Sequence, residues 1–197
     1  FKGTALAYDL YATPSQRTRG DTDLMIGPQY RGRLAQVLAS LGFGQAMTAG
    51  GQFASYQSSH SVADPATGEH ALDVHWRINN AEVLARLFSH EELLARSVPI
   101  AALGPHARAV DRADALLIAC MHRATHKVNP YYVDGVAHYE ADRLIWLLDM
   151  VRLVRSLSPD ENTAFLRRAR EKGLMAVCRD GLDMARRALD PDLRPDL

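Results

Sequence analysis

The chain has 197 residues, of which 47% are hydrophobic and 23% are charged, and its 23 Lys and Arg residues equal its 23 Asp and Glu residues in number. This composition excludes an intrinsically disordered protein, and the length suffices for one sizeable core or for a core with a helical appendage. The formal net charge of zero gives no global electrostatic reason to expect DNA or a membrane surface as partner, so any anion site must be local.

The cysteines and the short apolar runs indicate the compartment of the protein. Cys120 and Cys178 each lie in an apolar helical pattern, which favours two reduced structural thiols over a disulfide. No apolar run is long enough to cross a bilayer, and no signal-peptide pattern opens the chain. We therefore expect a cytoplasmic protein. Because Phe1 is not Met and a motif begins at Lys2, we also expect native residues, including a first strand, to precede it.

Two helices and a strand are predicted near the start of the chain. A short helix rich in Ala and Leu spans residues 4–12, and a strand spans residues 21–26. A second helix is expected over residues 30–41, because its apolar residues recur at helical spacing, and this face should cover a sheet. The apolar residues of this second helix are Leu34, Val37, Leu38 and Leu41.

The next segment is expected to form a β-hairpin. Residues 53–62 can run extended, residues 64–68 have the composition of a turn, and residues 70–78 form the better strand. Apolar and polar residues alternate along this strand, so the two types lie on opposite faces. One face carries Leu72, Val74, Trp76 and Ile78, and the other carries Ala71, Asp73, His75 and Arg77.

The remainder of the chain has a helical pattern throughout. Asp111 is expected to cap one helix, and residues 158–161 have the form of a capping box with Pro at the first helical position. Residues 144–157 are apolar on most sides, so this helix is expected at the centre of a bundle. The predicted helices span residues 81–88, 91–96, 113–126, 141–157 and 161–189.

Together these elements predict an α+β protein with a small mixed β-sheet core followed by a C-terminal helical bundle. The core is assigned to residues 1–80 and the helical domain to residues 81–197, and the active cleft is expected between them. No internal repeat or low-complexity tract points to another architecture.

Three aspartates carry the chemistry that the sequence suggests. Asp21 and Asp23 open one strand and are separated by one residue, so their side chains share a face. Asp73, on a neighbouring strand, is positioned to complete a carboxylate cluster of the kind that binds Mg²⁺ on nucleotide phosphates. The spacing alone leaves a plainer interpretation open, in which Asp21 caps the strand, Asp23 is solvated and Asp73 lies on the polar face of a half-exposed hairpin.

The residues around these aspartates resemble a known family. The matching segments are Lys2-Gly3-Thr4-Ala5-Leu6, Arg17, Gly20-Asp21-Thr22-Asp23-Leu24-Met25-Ile26 and Leu72-Asp73-Val74-His75-Trp76. Together they resemble the uncharacterised-nucleotidyltransferase branch of the DNA-polymerase-beta-like superfamily. By this resemblance, Gly3 and Thr4 stand at the Gly-Ser position at the start of a helix. Asp21 and Asp23 then form the metal-binding pair, and Asp73 is the third carboxylate.

The resemblance implies a reaction and its cofactor. A nucleoside monophosphate would move from a nucleoside triphosphate to a hydroxyl, with Mg²⁺ or Mn²⁺ bound by Asp21, Asp23 and Asp73. Asp73 would hold a second metal ion or activate the acceptor, which is a small molecule, a protein side chain or an RNA end. The alternative is a catalytically inactive nucleotide- or partner-binding module on the same fold. The presence of all three aspartates argues against this inactive module, because a cluster of like charges that binds no ligand lowers the stability of the fold.

Several basic and hydroxyl groups are candidates for binding the nucleotide. Gly3 and Thr4 at a helix N-terminus suit a triphosphate, because close backbone approach and free N–H groups favour an anion there, and Lys2 adds positive charge. Arg17 and Arg19 directly precede the acidic pair. Each is a candidate triphosphate contact, and an ordinary loop arginine is an equally good interpretation.

Histidines offer a further candidate and one rival site. His75 shares the face of the third aspartate and is expected to line the cleft, with deprotonation of an acceptor as its less favoured role. His122 and His126 lie four residues apart on one helix face, a spacing that suits a transition metal. Asp149 or His106 would supply the third ligand of such a site, although packed or surface histidines are the commoner explanation.

Overall fold

A four-stranded mixed sheet organises the first half of the chain. The computed structural model describes residues 1–45, 55–133 and 136–193. The sheet contains β1 (Thr22–Met25), β2 (Gly44–Gln45), β3 (Gln57–Asp64) and β4 (Gly68–His75), in the order β1-β4-β3-β2. β1 runs parallel to β4, and the other neighbouring strands pair antiparallel. The predicted small mixed sheet is therefore confirmed.

The chain divides into two units, residues 1–109 and 110–197, and each is described by itself. The sequence-based boundary near residue 80 stays a prediction. In the described part of both units, no helix combines the length and the apolar character that a membrane span requires.

The hairpin of β3 and β4 closes through a tight turn whose residues explain it. The Asp64 carboxylate accepts the backbone N–H groups of Ala66 and Thr67, at 2.8 and 2.9 Å. Gly68 has a φ of +89°, a conformation that favours glycine. The hairpin prediction is confirmed, and its first predicted residues, 53 and 54, lie outside the described residues.

Two helices accompany the sheet, as predicted. α1 (Gly3–Leu10) has four consecutive buried residues and packs on β1. α2 (Arg31–Ser40) ends before Gly42, whose φ is +86°. The expected apolar face of α2 is only partly correct, because Leu38 is buried whereas Val37 and Leu41 are 45% and 63% exposed. Among the described elements, α2 packs mainly against the two-residue β2 and the one-turn helix Pro28–Tyr30, which leave part of its apolar stripe exposed.

The end of the first unit is less helical than predicted. α3 (Glu82–Ala85) is shorter than the helix expected over residues 81–88, and α4 (His90–Ala95) has the expected length but begins one residue earlier. A two-stranded ladder of β5 (Val98–Pro99) and β6 (Arg108–Ala109) follows them where the pattern was interpreted as wholly helical. The expectation was wrong here because strands of two residues are too short to produce an alternating pattern.

The second unit is a four-helix bundle. It consists of α5 (Arg112–His126), α6 (Leu144–Ser156), α7 (Pro159–Glu171) and α8 (Met175–Leu189). α5 and α8 each pack against the other three helices, so these two are the central helices in place of the predicted α6. α6 had the more apolar sequence, but its exposed Leu144 shows that apolar content alone did not determine its position.

Two further features of the second unit differ from the prediction. The single helix expected over residues 161–189 is two helices, α7 and α8, because Gly173 takes a left-handed conformation with a φ of +69°. A short antiparallel ladder of β7 (Tyr131–Val133) and β8 (Val136–His138) lies between the helices predicted over residues 113–126 and 141–157, where no strand was expected.

The two thiols lie inside the bundle and are not joined. Cys120 and Cys178 are both buried and free, which confirms the prediction of reduced thiols. The neighbouring Cys178 thiol and burial raise the pKa of the Cys120 thiol well above its usual value. On α8, Gly181 allows close packing, since a Cβ there would lie 3.4 Å from the Cys120 sulfur and 3.6 Å from the Met150 sulfur.

A buried arginine also joins parts of this unit. Arg123 on α5 is 1% exposed. Its guanidinium donates to Asp142 at 2.6 Å and to Asp180 at 2.5 Å. These carboxylates satisfy the buried cation, as a charge removed from water requires.

Capping interactions fix the ends of two helices as predicted. The Asp111 carboxylate accepts the Asp114 N–H at 2.8 Å at the start of α5. At the start of α7, the Ser158 hydroxyl accepts the Glu161 N–H at 3.2 Å, and the Glu161 carboxylate accepts the Ser158 N–H at 2.8 Å. Pro159 occupies the first helical position, where its missing N–H costs nothing.

Replacing Ser158 with Ala is expected to lower the free energy of unfolding by about 1 kcal/mol, because the α7 N-terminus loses its cap. Urea denaturation measures this change. Thr163→Ala is the matched control, since its hydroxyl bonds back to the Pro159 carbonyl within the same helix at 2.9 Å and caps nothing. Equal losses in the two variants would show that the capping box does not stabilise α7.

Candidate metal centre

The pairing of β1 with β4 brings two carboxylates side by side. Asp23 and Asp73 are register partners on these parallel strands, so their side chains emerge on the same face. His75 lies two residues further along β4 and shares that face. Ligand atoms of Asp23, Asp73 and His75 all lie within 4.8 Å of one another. The sheet alone therefore assembles three groups that can bind a metal ion.

Asp23 is the buried member of the cluster and has two partners. Its Oδ1 accepts from the Lys2 ammonium at 2.8 Å and from His75 Nε2 at 2.9 Å. Burial opposes ionisation, and the Lys2 charge together with the His75 hydrogen bond overcomes it, so the pKa of Asp23 lies well below its usual range. Asp23 is therefore an ionised carboxylate with one oxygen already bonded.

His75 is a buried, neutral imidazole. Its side chain is 3% exposed, and burial followed by the nearby Lys2 charge lowers its pKa. Because the Asp23 carboxylate can only accept, Nε2 of His75 carries the proton and Nδ1 carries a lone pair. Nδ1 has no hydrogen-bond partner among the described residues. A buried acceptor without a partner is costly, which favours an additional ligand at this site.

Asp73 is bonded by neutral side chains of β3. Gln57 Nε2 donates to its Oδ2 at 3.0 Å, and the Ser59 hydroxyl donates to its Oδ1 at 2.6 Å. The sequence analysis missed both residues. The signal that could have found them is their position in the hairpin, because Ser59 pairs with Asp73 and Gln57 with His75.

Asp21 lies next to this cluster, just before β1. Asp21 is an exposed residue, but the surrounding protein partly desolvates its carboxylate. This desolvation raises the pKa of Asp21 to about 6, and the negative charges of Asp23 and Asp73 contribute to the rise. Ionised Asp21 is therefore destabilised at neutral pH. A cation among the three carboxylates would offset that cost.

The start of α1 faces the loop that precedes β1. A Cβ on Gly3 would lie 2.8 Å from Arg17 Nη1, so the guanidinium contacts Gly3 because a side chain is absent. Arg17 is buried, and its charge acts on Asp21 by lowering the pKa of that carboxyl, against the larger effects that raise it. Thr4, predicted to bind phosphate, shares a hydrogen bond of 2.9 Å with the Thr22 hydroxyl and thereby ties α1 to β1.

A groove opens beside Asp21 at the start of β1. Its volume is about 410 Å³. Arg19, the other predicted loop arginine, lines it and donates to the Pro14 carbonyl at 3.3 Å. The remaining lining residues are Ser15, Arg17, Thr18, Gly20, Asp21, Thr22, Glu69, His70, Ala71 and Leu72.

The donor set suits a divalent cation. Carboxylate oxygens are the ligands that Mg²⁺ and Mn²⁺ prefer, and an imidazole nitrogen is accepted by Mn²⁺ and other transition metals. The crowded negative charge around Asp21 is the feature of this site that such an ion would relieve. The residues present therefore fit a metal ion.

His122 and His126, the rival metal-binding pair, pack against each other and against an aromatic side chain. The rings of His122 and His126 contact each other with centroids 4.5 Å apart, and both contact the Trp146 ring, at 4.6 and 5.0 Å. Across the described ranges, the one group of three metal-binding side chains is Asp23, Asp73 and His75. In the described part of the chain, the histidine pair therefore does not belong to a group of three metal-binding side chains.

Comparison with known proteins identifies the family of the chain. No curated protein matches the chain. The model of a family described as uncharacterised nucleotidyltransferase matches residues 1–190, which include the sheet, the aspartates and all the helices. A match over this much of the sequence shows that the chain belongs to the uncharacterised nucleotidyltransferase family.

Proposed function

We propose that this protein transfers a nucleoside monophosphate from a nucleoside triphosphate to a hydroxyl group, using a divalent metal ion bound by its aspartates. The observation that carries the proposal is the placement of Asp23 and Asp73 in one register on adjacent parallel strands. Two carboxylates in this position repel each other unless a cation lies with them. Family membership supports the same reaction class.

Asp21, Asp23 and Asp73 would hold Mg²⁺ or Mn²⁺. When bound, such an ion neutralises phosphate charge and lowers the pKa of an attacking hydroxyl. His75 keeps Asp23 in one orientation through its Nε2 hydrogen bond of 2.9 Å.

Lys2 and Arg17 are our candidates for binding the triphosphate. Lys2 Nζ lies 2.8 Å from Asp23, so it can exchange that contact for a phosphate oxygen with a small movement. Arg17 contacts Gly3 at the start of α1, where no side chain caps the helix N-terminus. An arginine beside uncapped N–H groups provides charge and donors for an anion.

The proposed reaction is an attack of the acceptor oxygen on the α-phosphorus. The new bond joins that oxygen to the α-phosphorus, the bond from the α-phosphorus to the β-phosphate oxygen breaks, and pyrophosphate leaves. We assign the hydroxyl proton to Asp73, because Asp23 is already paired with Lys2 and His75. The chain chiefly positions the groups and balances their charge.

Asp23→Asn and Asp73→Asn are expected to abolish stabilisation by nucleotide. In the native protein, a nucleoside triphosphate with Mg²⁺ at 100 times its Kd should add about 2.7 kcal/mol to the free energy of unfolding. The variants keep the side-chain shape and lose the charge that binds the cation. Thermal denaturation with each of the four ribonucleoside triphosphates measures the difference.

Asp64→Asn is the matched control for these variants. Asp64 ends β3 and accepts two backbone N–H groups of the turn, which an asparagine oxygen can also accept. Its response to nucleotide should equal that of the native protein. No stabilisation of the native protein by any triphosphate would contradict the proposal, and stabilisation without pyrophosphate release in an acceptor screen would favour the non-catalytic module.

Gly3→Ala is expected to weaken triphosphate binding about tenfold, the loss of roughly one charge-assisted hydrogen bond. The new Cβ would lie 2.8 Å from Arg17 Nη1, and the flexible arginine moves more readily than the backbone. Calorimetric titration of the triphosphate with Mg²⁺ measures the Kd. Gly32→Ala is the control, because nothing lies within 4 Å of its added Cβ. Native affinity in Gly3→Ala would remove Arg17 from the proposed site.

A further inference from the structure

Both oxygens of Asp73 are bonded by side chains of the neighbouring strand β3. The Ser59 hydroxyl donates to Oδ1 at 2.6 Å, and the Gln57 amide donates to Oδ2 at 3.0 Å. All three residues are half-buried, so these bonds are only partly screened by water. The carboxylate plane of Asp73 is thereby fixed by two donors at once.

Strand register explains why these two residues reach the same carboxylate. Ser59 is the antiparallel partner of Asp73, and Gln57 is the partner of His75 two residues along the same face. The intervening Ser58 pairs with Val74 on the opposite face, where its hydroxyl lies 3.0 Å from His60 Nε2. The adjacent Ser58 and Ser59 thus have different partners, and of the two only Ser59 donates a hydrogen bond to Asp73.

A directional chain of hydrogen bonds sets the orientation of the Gln57 amide. The Tyr56 backbone N–H donates to Asn80 Oδ1 at 2.9 Å, which places the Asn80 nitrogen on the other side. That nitrogen donates to Gln57 Oε1 at 2.8 Å. Gln57 Nε2 is therefore the atom that faces Asp73, since a backbone N–H can only donate.

We propose that Ser59 and Gln57 are positioning residues that orient Asp73 to bind the divalent metal ion, an inference that rests on the proposed function. Each carboxylate oxygen has two lone pairs, so one donor per oxygen leaves a free lone pair on each for the ion. The donors on Asp73 are neutral and leave its charge intact, whereas Asp23 is paired with the Lys2 cation. Outer-shell partners of this kind commonly set metal affinity.

Ser59→Ala is expected to weaken Mn²⁺ binding about tenfold, within the range seen when a partner of a ligating carboxylate is removed. Electron paramagnetic resonance of free Mn²⁺ measures the Kd without requiring an acceptor. Ser59→Thr keeps the hydroxyl and should restore native affinity. Ser58→Ala removes a hydroxyl from the same strand and should bind Mn²⁺ like the native protein. Gln57→Leu should weaken binding in the same direction as Ser59→Ala.

Thermal denaturation of the metal-free proteins separates this role from a structural one. Ser59→Ala and Ser58→Ala should have similar midpoints, so that only the Mn²⁺ Kd distinguishes them. Native Mn²⁺ affinity in Ser59→Ala, with affinity lost in Asp73→Asn, would overturn the inference and leave the proposed function standing. Native affinity in Asp73→Asn would overturn both, because Asp73 would then not bind the ion.

Discussion

The parallel pairing of β1 with β4 is the constraint on which the rest of the candidate site depends. It places the Asp23 and Asp73 carboxylates side by side, and like charges at that distance destabilise the fold unless other groups compensate. The surrounding contacts follow from this requirement. Lys2 neutralises Asp23, and the hydroxyl and amide donors of β3 satisfy Asp73. Asp21 is compensated less, since its pKa is raised to about 6 whereas the pKa of Asp23 lies well below its usual range.

Local sequence patterns predicted the elements of the first unit but not the contacts between them. Alternation along residues 70–78 correctly placed Asp73 and His75 on one face, and the turn residues predicted the hairpin. Which strand lies beside β4 is a non-local property, so the pairing with Asp23 followed only from family resemblance. Gln57 and Ser59 were missed because a serine-rich extended segment has no distinctive pattern until its partner strand is known.

Helix caps were predicted well because their signals are local. The Asp111 and Ser158 caps need only residues within one turn, and both are present. Packing in the bundle was predicted less well. The central positions of α5 and α8 depend on which helices surround them, and the buried side of α5 includes the ion-paired Arg123, which no apolar pattern reveals. Local patterns of charge and hydrophobicity therefore predicted where the helices lie in the sequence, whereas their packing arrangement depends on tertiary contacts.

The buried thiols of the bundle have a practical consequence for chemical labelling. The sequence has two cysteines, both buried and therefore poorly accessible to reagents, and the raised pKa of Cys120 further disfavours its reactive thiolate. A maleimide or nitroxide reagent should therefore react preferentially with a cysteine introduced on the surface. The native chain can thus serve as its own low-background scaffold for site-directed spectroscopy.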